Sequence, residues 1–203
     1  MPFIPIKPLL WLIIAICPFI SCSKILDEIR LAGSGSGSVA PDFVEYNIRK
    51  GNHYAEDNTF KQLHQAKLRF QVIFDSSAIY ENAKTENQYD INKLYGFSDC
   101  KTLHHENSAR FGWRWNGKSI EIHAYWYNDT IRRHQFLDTV SVGETNELAI
   151  TVFPLQYEFE IKKTRHLFPR HCNSTIITGY KLYPYFGGDE TAPHDIRIRI
   201  KEL

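Results

Sequence analysis

Apolar side chains recur at every second position along much of the chain, and this constrains the fold more than any other feature. Leu68, Phe70, Val72 and Phe74 alternate with Arg69 and Gln71, and Leu148, Ile150 and Val152 bracket Thr151. Tyr157, Phe159 and Ile161 alternate with Glu158 and Glu160, while Ile196, Ile198 and Ile200 alternate with Arg197, Arg199 and Lys201. In extended backbone successive side chains point to opposite faces, so each run is a strand with one face in a core and the other toward water. No comparably clean 3.6-residue stripe competes with them. The expected fold is therefore all-β: a two-sheet antiparallel sandwich of jelly-roll or concanavalin-like type over residues 42–203. Residues 75–108 are expected to be long loops with one or two short elements.

The strongest local signal is a hairpin over Ala109 to Tyr127, turning at Asn116-Gly117, a pair that favours a two-residue turn. That turn predicts Trp113 opposite Ile120, Phe111 opposite Ile122 and Ala109 opposite Ala124, all on one face. The other face then carries Arg110 opposite His123, Gly112 opposite Glu121 and Arg114 opposite Ser119, with Tyr125 and Tyr127 continuing toward Ser108 and His105.

This second face has two readings. One is a solvated outer surface on which unlike side chains pair across strands. The other is a binding surface formed by Arg110, Arg114, Glu121, His123, Tyr125 and Tyr127. Aromatic rings stack on the C–H faces of sugars, while Arg, His and Glu hydrogen-bond hydroxyls or carboxylates. The chain is rich in such rings, with 11 Tyr, 13 Phe and 4 Trp. Its charge is balanced, with 24 basic and 23 acidic residues; Lys7 is the sole charge among the first 21, so the remainder is neutral. A neutral domain has no chain-wide electrostatic attraction for nucleic acid.

Residues 1–21 read as an export signal. Lys7 precedes the apolar run Leu9 to Ile16, and Pro8 and Pro18 interrupt the segment. The run is shorter than the about 20 apolar residues of a spanning helix. Phe19-Ile20-Ser21-Cys22 resembles the lipobox of bacterial lipoproteins, with Phe19 where that family usually has Leu. The resemblance implies lipidation of Cys22 and anchoring through acyl chains, each buried methylene contributing about 0.8 kcal/mol. Residues 22–41, with alternating Gly and Ser over Gly33 to Ser38, read as a flexible tether. The expected product is exported and lipid-anchored in a bacterial cell envelope, in the outer membrane.

Cys100 and Cys172 remain after processing. Outside the cytosol they are expected as a disulfide, with two free thiols, or a zinc site completed by His104, His105 or His171, as alternatives. Gly187-Gly188-Asp189-Glu190 echoes a cyclase signature, but Thr191 stands where that signature needs Phe. No cofactor is required by these motifs, although Asp189, Glu190 and Asp195 offer carboxylates of the kind that bind Ca2+.

No serine or cysteine nucleophile motif is legible. Ile122-His123 with Tyr125 and Arg110 resembles the Ile-His strand of jelly-roll alginate-type lyases, with Glu121 where that family usually has Gln. The family's Arg-rich strand motif is not matched, and Tyr180-Lys181-Leu182-Tyr183 only echoes its terminal motif. The resemblance implies His123 or Tyr125 as base and Arg110 as carboxylate clamp. Three functions stand at this point: non-catalytic binding of glycan or another extracellular ligand, a lyase acting on uronate-containing polysaccharide, or a structural envelope lipoprotein that binds a protein partner.

Overall fold

The structure is a computed structural model that describes residues 42–203; the expected signal peptide and tether, Cys22 included, lie outside the described residues. Two six-stranded antiparallel sheets face each other. The first runs β1 (Val44–Ile48), β12 (Ile196–Glu202), β3 (Lys67–Phe74), β8 (Thr145–Phe153), β9 (Gln156–Ile161) and β10 (Thr164–Pro169). The second runs β2 (Gln62–Leu63), β11 (Gly179–Leu182), β4 (Asn92–Ser98), β5 (Ser108–Trp115), β6 (Ile120–Asn128) and β7 (Ile131–Val140). Among the described residues no helix is long and apolar enough to cross a membrane.

The alternating residues form the layer between the sheets. Phe70, Phe74, Phe111, Trp113, Phe159 and Ile198 are fully buried there. Phe111 meets Phe70 and Phe159 edge-on, with ring centres 5.9 and 5.1 Å apart, so β5 is clamped against β3 and β9. Edge-to-face pairing adds about 0.5–1.5 kcal/mol per pair beyond the area buried. Trp113 and Trp126 are both inside.

Residues 75–108 hold loops and short elements, as expected, and one strand beyond them. They hold two 3-10 turns, Ser76–Ala78 and Thr85–Tyr89, and the seven-residue β4, an inner strand of the second sheet. β4 has no readable alternation because the pairing with β5 shifts between Lys93 and Gly96, and six of its seven residues are buried. A bulge places consecutive side chains off the two-residue period.

The hairpin also forms in a different register. Trp113 pairs with Ile122, Phe111 with Ala124 and Ala109 with Trp126, two residues beyond the expected partners. Only Gly117 has a positive φ, of 89°, and the Asn116 carboxamide oxygen accepts from the backbone N–H groups of Lys118 and Ser119. The connection is thus a four-residue loop folded around an Asn side chain. Because the shift is an even number, every side chain keeps its face.

A buried polar knot fixes the loops at one end of the second sheet. Arg170 and Asp99 form a fully buried ion pair, with Nε to Oδ2 at 2.7 Å. Asp99 also accepts from the Tyr157 hydroxyl and the Thr178 backbone, and Arg170 donates to the carbonyls of Phe153 and Ile176. The Cys100–Cys172 disulfide lies beside this knot, with Cα atoms 5.5 Å apart, and joins segments 72 residues apart in sequence.

Candidate functional site

All six candidate residues of the hairpin lie on the outer face of the second sheet. The register places Arg114 opposite Glu121, Arg110 opposite Tyr125 and Tyr127 opposite Ser108. The face is not open to water along its middle: Arg110 is 7% exposed, Tyr125 4% and His123 3%. Loops around it make it the floor of a depression. On one side Lys93 and Tyr185 exchange backbone hydrogen bonds of 2.8 and 2.9 Å, and Arg114 Nη1 donates to the Tyr89 carbonyl. On another, the His105 ring stands edge-on to Tyr127 at 5.5 Å. Gly96 and Gly112 flank Arg110 on the adjoining positions. A Cβ at Gly96 would collide with the Ala109 carbonyl and the Arg110 Cα and Cβ, and one at Gly112 would collide with Ile91.

The structure divides the six residues into two groups of opposite electrostatic character. Arg114 Nε donates to Glu121 at 2.6 Å, and the same carboxylate accepts from Asn116 and bonds His123 Nε2 at 3.1 Å. Burial works against ionisation of Glu121, but the bonds from Asn116, Arg114 and His123 outweigh it and hold the carboxyl below its ordinary pKa. Burial lowers His123 to about 4, so its contact with Glu121 is a hydrogen bond from neutral imidazole instead of an ion pair. Glu121 accepts the hydrogen bond from Nε2–H, and the lone pair rests on Nδ1, which has no partner. This group is self-neutralised.

The Arg110 group is not. Among the described residues Arg110 forms no ion pair, and its buried Nε has no hydrogen-bond partner. Burial drives its pKa down, opposed by the hydroxyls of Tyr125, Tyr127, Tyr180 and Tyr185. Its guanidinium carbon lies 5.3 Å from the centre of the Tyr125 ring. Lys93 Nζ lies 5.3 Å from the same ring and 5.7 Å from that of Tyr185. Burial, followed by Arg110 and Arg132, lowers Lys93 to about 8, with Asp90 acting the other way. Burial raises Tyr125 to about 12, leaving it a neutral phenol. Beside this group, on the Lys93 side of the Tyr125 ring, a cleft of about 80 Å³ is lined by Tyr89, Asp90, Lys93, Tyr125, Arg132 and His134. A buried cation without an anion is costly.

Sequence reasoning missed Lys93, Arg132, His134 and Tyr185. Arg132, His134 and Phe136 were findable, since they alternate along β7 and pair with Tyr127, Tyr125 and His123. Lys93 and Tyr185 carried no such signal, because one sits at a bulge and the other makes only isolated bridges.

The remaining candidates separate. Cys100 and Cys172 are disulfide-bonded, which removes the thiolates of the zinc alternative, and His104 Nδ1 bonds the Tyr180 hydroxyl at 2.9 Å. Asp189, Glu190 and Asp195 do not converge into a Ca2+ donor set among the described residues. Glu190 instead accepts from Ala83 N, Lys84 N and Asn87 Nδ2, and Asp195 from Lys50 N and Arg49. Both carboxylates stitch loops together.

No family model matches the chain, and no curated protein matches it. Among solved structures the chain is similar to an alginate lyase from Chlorella virus, at 10% identity over 79% of this chain and 82% of that one, with a TM-score of 0.50. It is also similar to the alginate lyase AlyC3, at 12% identity over 79% and 74% of the two chains, with a TM-score of 0.52. At these identities the likeness shows a shared jelly-roll-type sandwich.

Proposed function

We propose that the protein binds a uronate-containing glycan along the outer face of its second sheet, with Arg110 receiving a sugar carboxylate. The observation that carries this reading is the buried Arg110 guanidinium without an anionic partner, floored and walled by tyrosines. A carboxylate matches the planar fork of arginine, and Lys93 and Arg132 add positive potential. Tyr127, partly exposed and 6.1 Å from the buried Tyr125 ring, offers surface for a pyranose C–H face. The fold shared with alginate lyases supports a glycan ligand by analogy. Isothermal titration with uronate oligosaccharides and with neutral ones tests the reading: only the uronates should release heat, and Arg110→Met should abolish it. No heat with any uronate oligosaccharide would sink it.

A second reading, elimination from the same bound uronate, is favoured by Lys93, whose amine at about pKa 8 lies against Tyr125 and Tyr185. In that chemistry a neutral base removes the proton next to the carboxylate. The electron pair forms a carbon–carbon double bond, and the glycosidic oxygen leaves with a proton from a tyrosine hydroxyl. Ultraviolet absorbance of the unsaturated product decides between turnover and simple binding.

The envelope setting belongs to the same proposal. Lipidation at Cys22 would hold the domain at a membrane surface on its Gly/Ser tether. Mass spectrometry of the mature amino terminus tests it: an unmodified or absent Cys22 overturns the anchor without touching the glycan site.

A further inference from the structure

A hollow of about 600 Å³ lies away from Arg110, at the β2–β11 edge of the second sheet. Its walls come from Phe60 and Gln62, from the loop carrying Lys101, Leu103 and Glu106, and from Thr178 to Tyr180. Phe60 is 72% exposed and Leu103 63% exposed, yet both turn toward this one hollow. The Phe60 and Tyr180 rings are 5.6 Å apart with planes inclined at 35°, and together they make an aromatic platform.

The hollow is rigidly built. Lys101 N donates to the Thr178 carbonyl at 2.8 Å, Thr178 N to Asp99, and Lys181 N to the Lys61 carbonyl at 2.8 Å. The Tyr180 hydroxyl is held by both the backbone N and Nδ1 of His104. The disulfide and the buried Asp99–Arg170 pair anchor two of the three walls. Burial lowers His104 to about 4, so this wall carries no imidazolium at neutral pH. A rigid wall with exposed apolar side chains loses little freedom when a ligand docks.

A chain of ring contacts links the hollow to the Arg110 site across the same sheet face. Rings run from Phe60 through Tyr180, His104, His105 and Tyr127 to Tyr125, each step between 4.1 and 6.1 Å. Tyr180 on β11 is two strands from Arg110 on β5, a span of about 10 Å at ordinary strand spacing. The two ends differ in charge. Arg110, Lys93 and Arg132 outnumber Asp90, the acid beside them, and leave the centre net positive, whereas the hollow carries Lys101 offset by Glu106 beside apolar side chains.

From this contrast we infer that the hollow is a second sugar subsite that takes an uncharged pyranose, so that the ligand is a heteropolysaccharide joining uronate to neutral sugar. The inference rests on the uronate reading of the Arg110 site. A neutral ring lays its C–H face on Phe60 and offers hydroxyls to Gln62, Lys101 and Glu106. A polymer of uronate alone would bring a carboxylate onto the Phe60 platform and against Glu106, with only Lys101 to balance both.

Titration of the full-length protein with three probe sets tests this: oligogalacturonate and oligomannuronate, cello- and xylo-oligosaccharides, and mixed oligosaccharides from hyaluronan and glucuronoxylan. At least one mixed set should bind about tenfold more tightly than either uronate homopolymer, and Phe60→Ala should erase that advantage. Leu103→Ala, also at an exposed position, should narrow it in the same direction. Homopolymeric uronates binding as tightly as every mixed probe would overturn the inference and leave the Arg110 site standing. Phe60→Ala weakening mixed and homopolymeric probes by the same factor would overturn it as well. Binding by no uronate of any kind removes the parent reading instead.

Discussion

Replacing Arg110 by methionine is expected to stabilise the folded protein while abolishing uronate binding. The guanidinium sits 7% exposed with no ion pair among the described residues, and burial pulls its pKa down. A group whose folded pKa is depressed carries its penalty at every pH below that pKa, so a measurement at pH 7 reads it in full. An unpaired buried cation costs several kcal/mol, and methionine keeps much of the buried stem without the charge. Against this stands the lost contact with the Tyr125 ring, worth about 0.5–2 kcal/mol. The net gain is about 1–3 kcal/mol, or a rise of about 3–10 °C in midpoint for a domain of this size. Arg114→Met is the matched control on the same face. Its removal leaves Glu121 without the donor 2.6 Å away, so it should cost about 1–3 kcal/mol. Thermal melting followed by circular dichroism, repeated in urea, reads both. If Arg110→Met lowers the midpoint as Arg114→Met does, Arg110 is a satisfied structural residue, and the argument for an anion site fails.

Carboxylate binding should weaken as pH rises through about 8, where Lys93 loses its proton, and Lys93→Met should remove that step in titrations run from pH 6.5 to 9.5. The same depressed pKa means that the protein without ligand gains stability between about pH 8 and the ordinary lysine value of 10.5, a slope absent in Lys93→Met. His104 and His123 are both lowered to about 4 from an ordinary 6.5, so their contribution is present above pH 6.5 and lost as pH falls through about 4. Urea midpoints across that range should fall, and less steeply in His104→Gln; an unchanged slope counts against a buried neutral imidazole. Asp99→Ala strands Arg170 as an unpaired buried charge and should cost about 3–5 kcal/mol in denaturant unfolding, whereas a loss under 1 kcal/mol would show that the pair contributes little.

How far the sequence reaches is clearest at the hairpin. Alternation placed Arg110, Arg114, Glu121, His123, Tyr125 and Tyr127 on one face, and they share it. The turn residues suggested partners two positions off, because the Asn116 side chain folds a longer loop than Asn-Gly usually makes. The face survived that error since the strand period is two. β4 was hidden in residues 75–108 by its bulge and by burial along most of its length, which erases the polar half of the pattern.

What the sequence alone determined is the layer structure: which side chains face the space between sheets follows from local periodicity, and periodicity is a property of neighbouring residues. What only the tertiary structure decided is which arginine of the outer face is already neutralised. Arg114 finds Glu121 across the hairpin, while Arg110 is enclosed by Lys93, Tyr180 and Tyr185 from distant segments that bring no acid into contact with it. Charge balance at a point is the sum over whatever the fold brings near, and no stretch of sequence contains that sum.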